Sequence, residues 1–469
     1  LEEPGALTVR PGYLVASSAS LGSGRAQGGQ RVYLASTRFT VVAWDGQLYK
    51  PTDGWVWGAA VYSSLSTANQ IYFPYDRDLV AAMDGANRPR ASVDGSSWWT
   101  LDIDPPTTAL TLSSGAASAS LSSGEFAIAY TLKHRATAFE GNVGSESTIT
   151  LTSTANGKIT VTSPTSTDGK IDAYVLYARH KLPDGESVLR YVSSHAMGVN
   201  ADITSSAWTS EDEAPSNHTI PADGLKFATS WKSRWWAPDG TAGNRLRFSE
   251  LFLPQAWPTN YYVDIPFAKG ESITAIESMG DTLIVFGESA VFLVIGQTSL
   301  DFEVRPSLGS DSGAVGPRAT AMVEQALTHL SADGVLTFDG SGDRSLSLDI
   351  TPAWRDLVAN TGSADLTKLA AVYDQSRHEL RIAVPRLYPT SARGEWVIHL
   401  DRTRENGGAP AWVSTDRDIA FYMRWSGTET VAGNRDRLFT MPSTAGLVFE
   451  ENVGTTANSS NVTAEYEGP

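Results

Sequence analysis

The run WKSRWWAPDG (231 to 240) is a place in the chain where side-chain types and spacing could do chemistry. Trp231 and Trp235, with Arg234 between them, could form an aromatic platform for a glycan, the indole faces stacking on a sugar ring and the guanidinium serving as polar partner. Strand alternation would put Trp231 and Trp235 on one face and Trp236 on the other. Strand packing with one exposed ring accounts for the same residues. Glycoside cleavage would also need two separated carboxylates. Asp45, Asp76, Asp94 and Asp264 could serve, although abundance is the only argument for them.

Other chemistries find little support. His134, His180, His195, His218, His329, His378 and His399 are all the histidines, and none lies in HxH or HExxH spacing. With 0 cysteines there is no thiolate ligand, disulfide or Cys nucleophile. Asp311-Ser312-Gly313 has the order of an aspartic-protease triplet, but such a site needs a second copy, and Asp339-Gly340-Ser341 has the wrong order, so both read as turns. No GxSxG elbow, P-loop, Rossmann fingerprint or EF-hand loop occurs, so no cofactor is implied. SVDGSSWW (92 to 99) resembles the Asp-box hairpin of bacterial sialidases with its glycine one place early. SADGVLTF (331 to 338) is an equally imperfect copy. That hairpin is structural: its Asp ties down the turn and its Trp packs.

Such residues must be positioned by strands. MGDTLIVFGESAVFLVIG (279 to 296) is broken by Asp281 and Glu288, too soon for the roughly 20 apolar residues of a membrane span. It reads as two strands, Leu283 to Phe286 and Ala290 to Ile295, turning through Gly287-Glu288-Ser289. RVYLASTRFTVVAWDGQLYK, LTHLSADGVLTFDG, VYDQSRHELRIAVP, EWVIHLDR and RLFTMPSTAGLVFEENVG repeat the hairpin rhythm. The clearest helix is TPAWRDLVAN, with Thr351 as N-cap, Pro352 at its first position and Asn360-Thr361-Gly362 as its stop.

Composition divides the 469 residues, since 13 of the 14 Trp lie outside residues 104 to 214, a segment rich in Ser and Thr and flanked by linker-like sequence. Inside it, Phe126, Ile128, Tyr130 and Leu132 alternate onto one face, and five or six further strands follow, the size of an immunoglobulin- or fibronectin-like sandwich. The remaining 358 residues (1 to 103 plus 215 to 469) are enough for six or seven four-stranded blades. The expected fold is therefore all-β: a β-propeller in two parts, 1 to 103 and 215 to 469, with a β-sandwich inserted at 104 to 214. The chain starts at Leu1 and stops at TAEYEGP without a cap, which reads as trimming at both ends.

Formal net charge is −16, divided as −1 for 1 to 103, −5 for 104 to 214 and −10 for 215 to 469. This argues against wrapping nucleic acid by phosphate neutralisation.

The order of these segments resembles the tail hub, nozzle and packaged-DNA stabilisation proteins of short-tailed bacteriophages. The similarity begins at LTVRPGYL (7 to 14) and VVAWDGQLYK and continues through YTLKHRATAFEGNVGSES, GKITVTSP and YVLYAR. It is densest in RLRFSELFLPQAWPTNYYVDIP, with Arg247-Phe248-Ser249 and Trp257-Pro258, followed by the hairpin at 279 to 296. It implies a non-enzymatic virion protein, a homo-oligomer in a hexameric ring. That ring would sit below the portal and adaptor among other tail proteins, with DNA passing through unread and no membrane span. An acidic wall would let phosphates slide. The rival reading is a secreted or virion-borne propeller that binds or cleaves glycans. A cell-surface adhesin, suggested by the fibronectin-like insert, is a third.

Overall fold

The computed structural model describes residues 13–115, 121–152, 157–181, 188–205, 208, 211–219, 224–268, 270–387, 392–405, 411–425, 436–451, 456–457 and 460–461. Most of LTVRPGYL and all of TAEYEGP lie outside them. Among the described residues, seven antiparallel sheets follow one another around a ring, making a seven-bladed propeller.

Blade 1 is built from Ala26–Tyr33, Arg38–Trp44 and Gln47–Tyr49, with Tyr62 bridging to Leu48 at its edge. Blade 2 has Tyr72 bridged to Met83, then Val80–Ala82, Arg90–Ser92 and Trp99–Thr100. Blade 3 resumes after the insert with Thr229–Trp231, Arg234–Pro238, Arg245–Phe248 and Tyr262–Asp264. Blade 4 comprises Ala275–Met279, Thr282–Phe286, Val291–Ile295 and Glu303–Pro306. Blade 5 comprises Thr320–Val323, Ala326–Ser331, Gly334–Phe338 and Asp343–Ser345, and blade 6 Ala370–Asp374, Glu379–Val384, Gly394–His399 and Ala411–Thr415. Blade 7 joins Phe421–Trp425, Arg437–Met441 and Phe449–Glu451 to Tyr13–Val15 from the start of the chain, with Tyr13 opposite Glu451 and Val15 opposite Phe449. Pairing these two distant segments closes the ring, leaving no broken blade edge there.

Alternation lets each blade bury both faces, each against one neighbour. In the hairpin at 279 to 296, Leu283, Val285 and Val294 pack toward blade 3, whereas Ile284, Phe286 and Val291 pack against Leu327 and Phe338 of blade 5. Its turn spans Gly287 to Ala290 and is closed by the Gly287 N–H on the Ala290 carbonyl at 2.9 Å. The run is apolar because both faces are covered.

The helix Thr351–Asn360 lies between blades 5 and 6 and buries Trp354 and Leu357. Its start differs from expectation: Ile350 is the cap residue and Thr351 is already helical. The Thr351 hydroxyl donates backward to the carbonyls of Ser347 and Leu348, so it caps no helical N–H.

The described residues of the insert form a seven-stranded sandwich. Ser147–Leu151, Gly124–His134, Ile171–Lys181 and Arg190–Ala196 form one sheet, and Ala201–Ile203, Lys158–Val161 and Leu112–Gly115 the other. Phe126, Ile128, Tyr130 and Leu132 enter its core as the alternation predicts. Ile103, Phe139, Ile171 and Ala256 pack together where it meets the propeller. There Lys170 Nζ donates to the Asp102 carbonyl at 2.9 Å, and His218 Nδ1 lies 2.6 Å from the Glu140 carbonyl oxygen.

Asp311-Ser312-Gly313 belongs to the connection from blade 4 to blade 5 and has a packing role. The Ala314 N–H donates to the Gly287 carbonyl at 3.0 Å, and a Cβ on Gly313 would stand 1.9 Å from that same oxygen. Backbone meets backbone, so neither side can yield without shifting a blade. Gly313→Ala is expected to destabilise the fold by about 1–3 kcal/mol, measured by denaturant unfolding; an unchanged midpoint would refute the contact.

Candidate functional site

The expected aromatic platform is buried. Trp231 is 4 % exposed, Arg234 6 %, and Trp235 and Trp236 0 %, so no ring face is open to a sugar. The facing of the rings also departs from simple alternation. Lys232 and Ser233 have φ of 52° and 57°, forming a two-residue turn that pairs Trp231 with Arg234. Trp231 and Trp236 therefore share the face toward blade 4, while Trp235 packs toward blade 2. Arg234 donates to the Ser249 carbonyl at 2.7 Å and lies over Phe248 and Tyr261, a structural use of the guanidinium.

The four candidate carboxylates sit on separate elements, and three of them have hydrogen-bond partners. Asp45 occupies a left-handed turn position at φ 49° in blade 1. Asp76 accepts the Arg77 N–H, and Asp264 is held bidentately by Arg245 at 2.8 and 3.1 Å. Asp94 accepts the N–H groups of Ser96 and Ser97 at 2.8 and 2.9 Å, and the Trp98 indole donates to the Gly95 carbonyl. SVDGSSWW thus ties a turn. His329, fully buried, lies between the Gly313 carbonyl (3.0 Å) and Asp343 (2.9 Å), a satisfied core histidine. His399 sits 3.2 Å from Glu379.

The structure also exposes a repeat hidden in the sequence. MDGANRPRAS (83 to 92) and PDGTAGNRLRFS (238 to 249) span the second-to-third-strand turns of blades 2 and 3. In each, the Asp caps its turn: Asp84 accepts from Ala86 and Asn87, Asp239 from Thr241 and Ala242. The Arg that follows then pairs outward, Arg88 with Asp102 at 2.6 Å and Arg245 with Asp264 at 2.8 Å. The shared D-G and N-R-x-R residues are the signal that marks it. Ser249, from the triplet Arg247-Phe248-Ser249, receives the Trp235 N–H on its hydroxyl at 3.0 Å.

Two polar sites stand out from this framework. One fills the junction of blades 6 and 7. Fully buried Arg381 reaches Glu379 at 3.0 Å, Glu451 at 3.1 Å, Glu395 at 3.5 Å and Asp374 at 3.7 Å. Arg417 closes on Glu451, and the Tyr422 hydroxyl donates to Glu395 at 3.1 Å. Burial alone would raise the Glu451 pKa, but Arg417 and Arg381 outweigh it and hold it down at about 2.

The other lies on the propeller axis. A cavity of ≈ 280 Å³ is lined from the inner strands by Gln30, Tyr72, Arg318, Thr320, Val372 and Tyr422, among others. Arg318 crosses from blade 5 and donates through Nη2 to the carbonyls of Gln27 (2.9 Å) and Ile71 (2.8 Å), its guanidinium lying against Tyr72 and Phe421. Burial pushes the Tyr72 phenol up to about 12, partly offset by Arg318. Nearby Glu277 accepts the Thr320 hydroxyl at 2.9 Å, and its burial raises its pKa against that hydrogen bond.

No family model and no curated protein matches the chain. Among solved structures, the computationally designed Ika8 protein aligns over 94% of this chain and 99% of its own, at 9% identity and TM-score 0.41. BamB from Moraxella catarrhalis covers 92% and 97% at 10% identity and TM-score 0.37. The C-terminal WD40 domain of Sif2 covers 93% and 99% at 8% and 0.38. The propeller class itself rests on the closed ring of seven sheets.

The two sites respond oppositely to pH. With its folded pKa below the ordinary 4.5, Glu451 contributes stability above that value and loses it as pH falls toward 2. Glu451→Gln should cost about 3–5 kcal/mol at neutral pH, and its deficit against wild type should shrink across that window; a pH-independent deficit would contradict the ion-pair account. Glu277, with a raised pKa, lowers stability once ionised. Glu277→Gln should raise the melting temperature at pH 7 and leave it nearly unchanged at pH 4, as scanning calorimetry would read.

Proposed function

We propose that this chain is a non-enzymatic structural subunit of a bacteriophage tail, a hub or nozzle component. In this reading copies assemble into a ring below the portal and adaptor that retains and conducts the packaged DNA. The supporting observation is where the exposed hydrocarbon lies. Among the described residues, the four large apolar side chains more than two-thirds exposed are Phe252 (72%), Leu300 (96%), Leu308 (95%) and Leu348 (71%). Phe252 and Leu300 occupy loops between the third and fourth strands of adjacent blades 3 and 4, and Leu308 and Leu348 the connections leaving blades 4 and 5. All four lie in the sector of blades 3 to 5, Phe252 and Leu300 at the end of the blades where third and fourth strands are joined and Leu308 and Leu348 at the opposite end. Exposed hydrocarbon at both ends of one sector fits surfaces that partners cover. In a cyclic ring larger than a dimer, each surface meets a different surface on the next copy.

Arg318 spans the propeller's own axis, so a DNA path in such an assembly would lie between subunits. The acidic charge, heaviest after residue 214, suits a wall that does not hold phosphates. The glycan-binding alternative has lost its platform to burial.

Mass photometry tests the reading. The protein, alone or with a portal–adaptor assembly, should form discrete multimers, and Phe252→Asp with Leu300→Asp should shift them to monomers with an unchanged circular dichroism spectrum. Wild-type protein that stays monomeric under both conditions would overturn it.

A further inference from the structure

The axial cavity holds a cation that pairs with none of the carboxylates standing behind its lining, Glu277 on Thr320 and Glu395 on Tyr422. Arg318 spends Nη2 on two backbone carbonyls, and among the described residues no carboxylate pairs with it. Its Nε and Nη1 make no hydrogen bond within the described chain and are not sealed from solvent, in a residue that lines the cavity. The polar neighbours are committed elsewhere: Tyr72 donates its hydroxyl to Gln70 at 2.6 Å, Tyr422 to Glu395, and Thr320 to Glu277. Among the described residues of the lining, Gln30 donates its amide to the Arg31 carbonyl at 2.9 Å and receives no hydrogen bond on its side-chain oxygen.

The position is built for the guanidinium. A Cβ on Gly28 would stand 2.5 Å from Arg318 Nη2 and 2.2 Å from the Ile71 carbonyl, so glycine there opens the slot in which Arg318 lies. The rings of Tyr72 and Phe421, 4.7 and 5.5 Å from the guanidinium carbon, hold it in place. A chain with formal charge −16 has thus placed a cation without a carboxylate partner at its axis. Desolvated guanidinium donors bind carboxylate and phosphate oxygens through charge-assisted hydrogen bonds.

We propose that the axial cavity is a binding site for a small anion, a carboxylate or phosphate of a few heavy atoms, with Arg318 as its charge partner. The cavity, ≈ 280 Å³, lies at the lower edge of the roughly 300–1,000 Å³ of small-molecule sites, and its single unpaired cation matches one anionic group. The proposal does not depend on the tail reading, since it concerns the interior of one propeller.

Isothermal titration of the whole protein with acetate, succinate and inorganic phosphate, at constant ionic strength in chloride, tests it. One saturable site per chain is expected, and the strongest of the three probes assigns carboxylate or phosphate chemistry. Arg318→Gln should weaken binding about tenfold or more. Because that change also removes two backbone contacts, Gln30→Glu is the second variant. It keeps the side-chain size, places a carboxylate in the cavity as an internal competitor, and should abolish binding with the fold intact by near-ultraviolet circular dichroism. Absence of saturable binding in the wild type overturns the site. So does binding that survives Gln30→Glu, because the anion must then sit elsewhere.

Discussion

Closure of the ring depends on how the last junction is filled. Six of the seven spaces between blades hold continuous apolar clusters. Between blades 6 and 7 the apolar contact is small, with Ala370, Ala383 and Ile419, and Arg381 with its four carboxylates occupies the rest. Glu451, which Arg381 and Arg417 both hold, lies on the same strand that pairs with Tyr13–Val15. The ion cluster and the strand exchange therefore act on one element. Removing a partner from a buried pair leaves an uncompensated charge, which makes such a junction sensitive to register. A hydrocarbon junction would tolerate sliding; directional hydrogen bonds do not.

The axis shows a second use of buried charge. Arg318 links blade 5 to backbone atoms of blades 1 and 2 and lies against Phe421 of blade 7. A strut across the channel restrains blades that share no direct junction, and among the described residues no carboxylate pairs with it. The same side chain thus braces the ring and defines the proposed anion site. The proposed assembly surface and the proposed anion site are separate, one on the sector of blades 3 to 5 and one at the centre.

Much of the framework is legible in the residues alone. The hairpin at 279 to 296 can be read because Asp281, Gly287 and Glu288 interrupt a run otherwise too apolar for anything but burial. The insert can be separated because its Ser- and Thr-rich strands contrast with the Trp-rich blades. The site residues behave differently. Trp231, Arg234 and Trp235 look like a platform in one dimension, yet a two-residue turn at Lys232-Ser233 reverses their facing and the neighbouring blades cover them. Burial by neighbours is a long-range property that a ten-residue window does not contain. The axial cavity is hidden for the same reason, since Gln30, Tyr72, Arg318 and Tyr422 are far apart in the chain.

By itself, the sequence determined the all-β class, the hairpin units, the inserted sandwich, the strongly negative charge and the absence of cysteine chemistry. These follow from local periodicity, turn residues and composition, which act over a few residues. Only the tertiary structure decided the number of blades, the pairing of the first described strand with Phe449–Glu451, the burial of the Trp cluster and the meeting of Arg381 with Glu451. Each depends on which distant segments become neighbours, and ring closure settles that for all seven blades together.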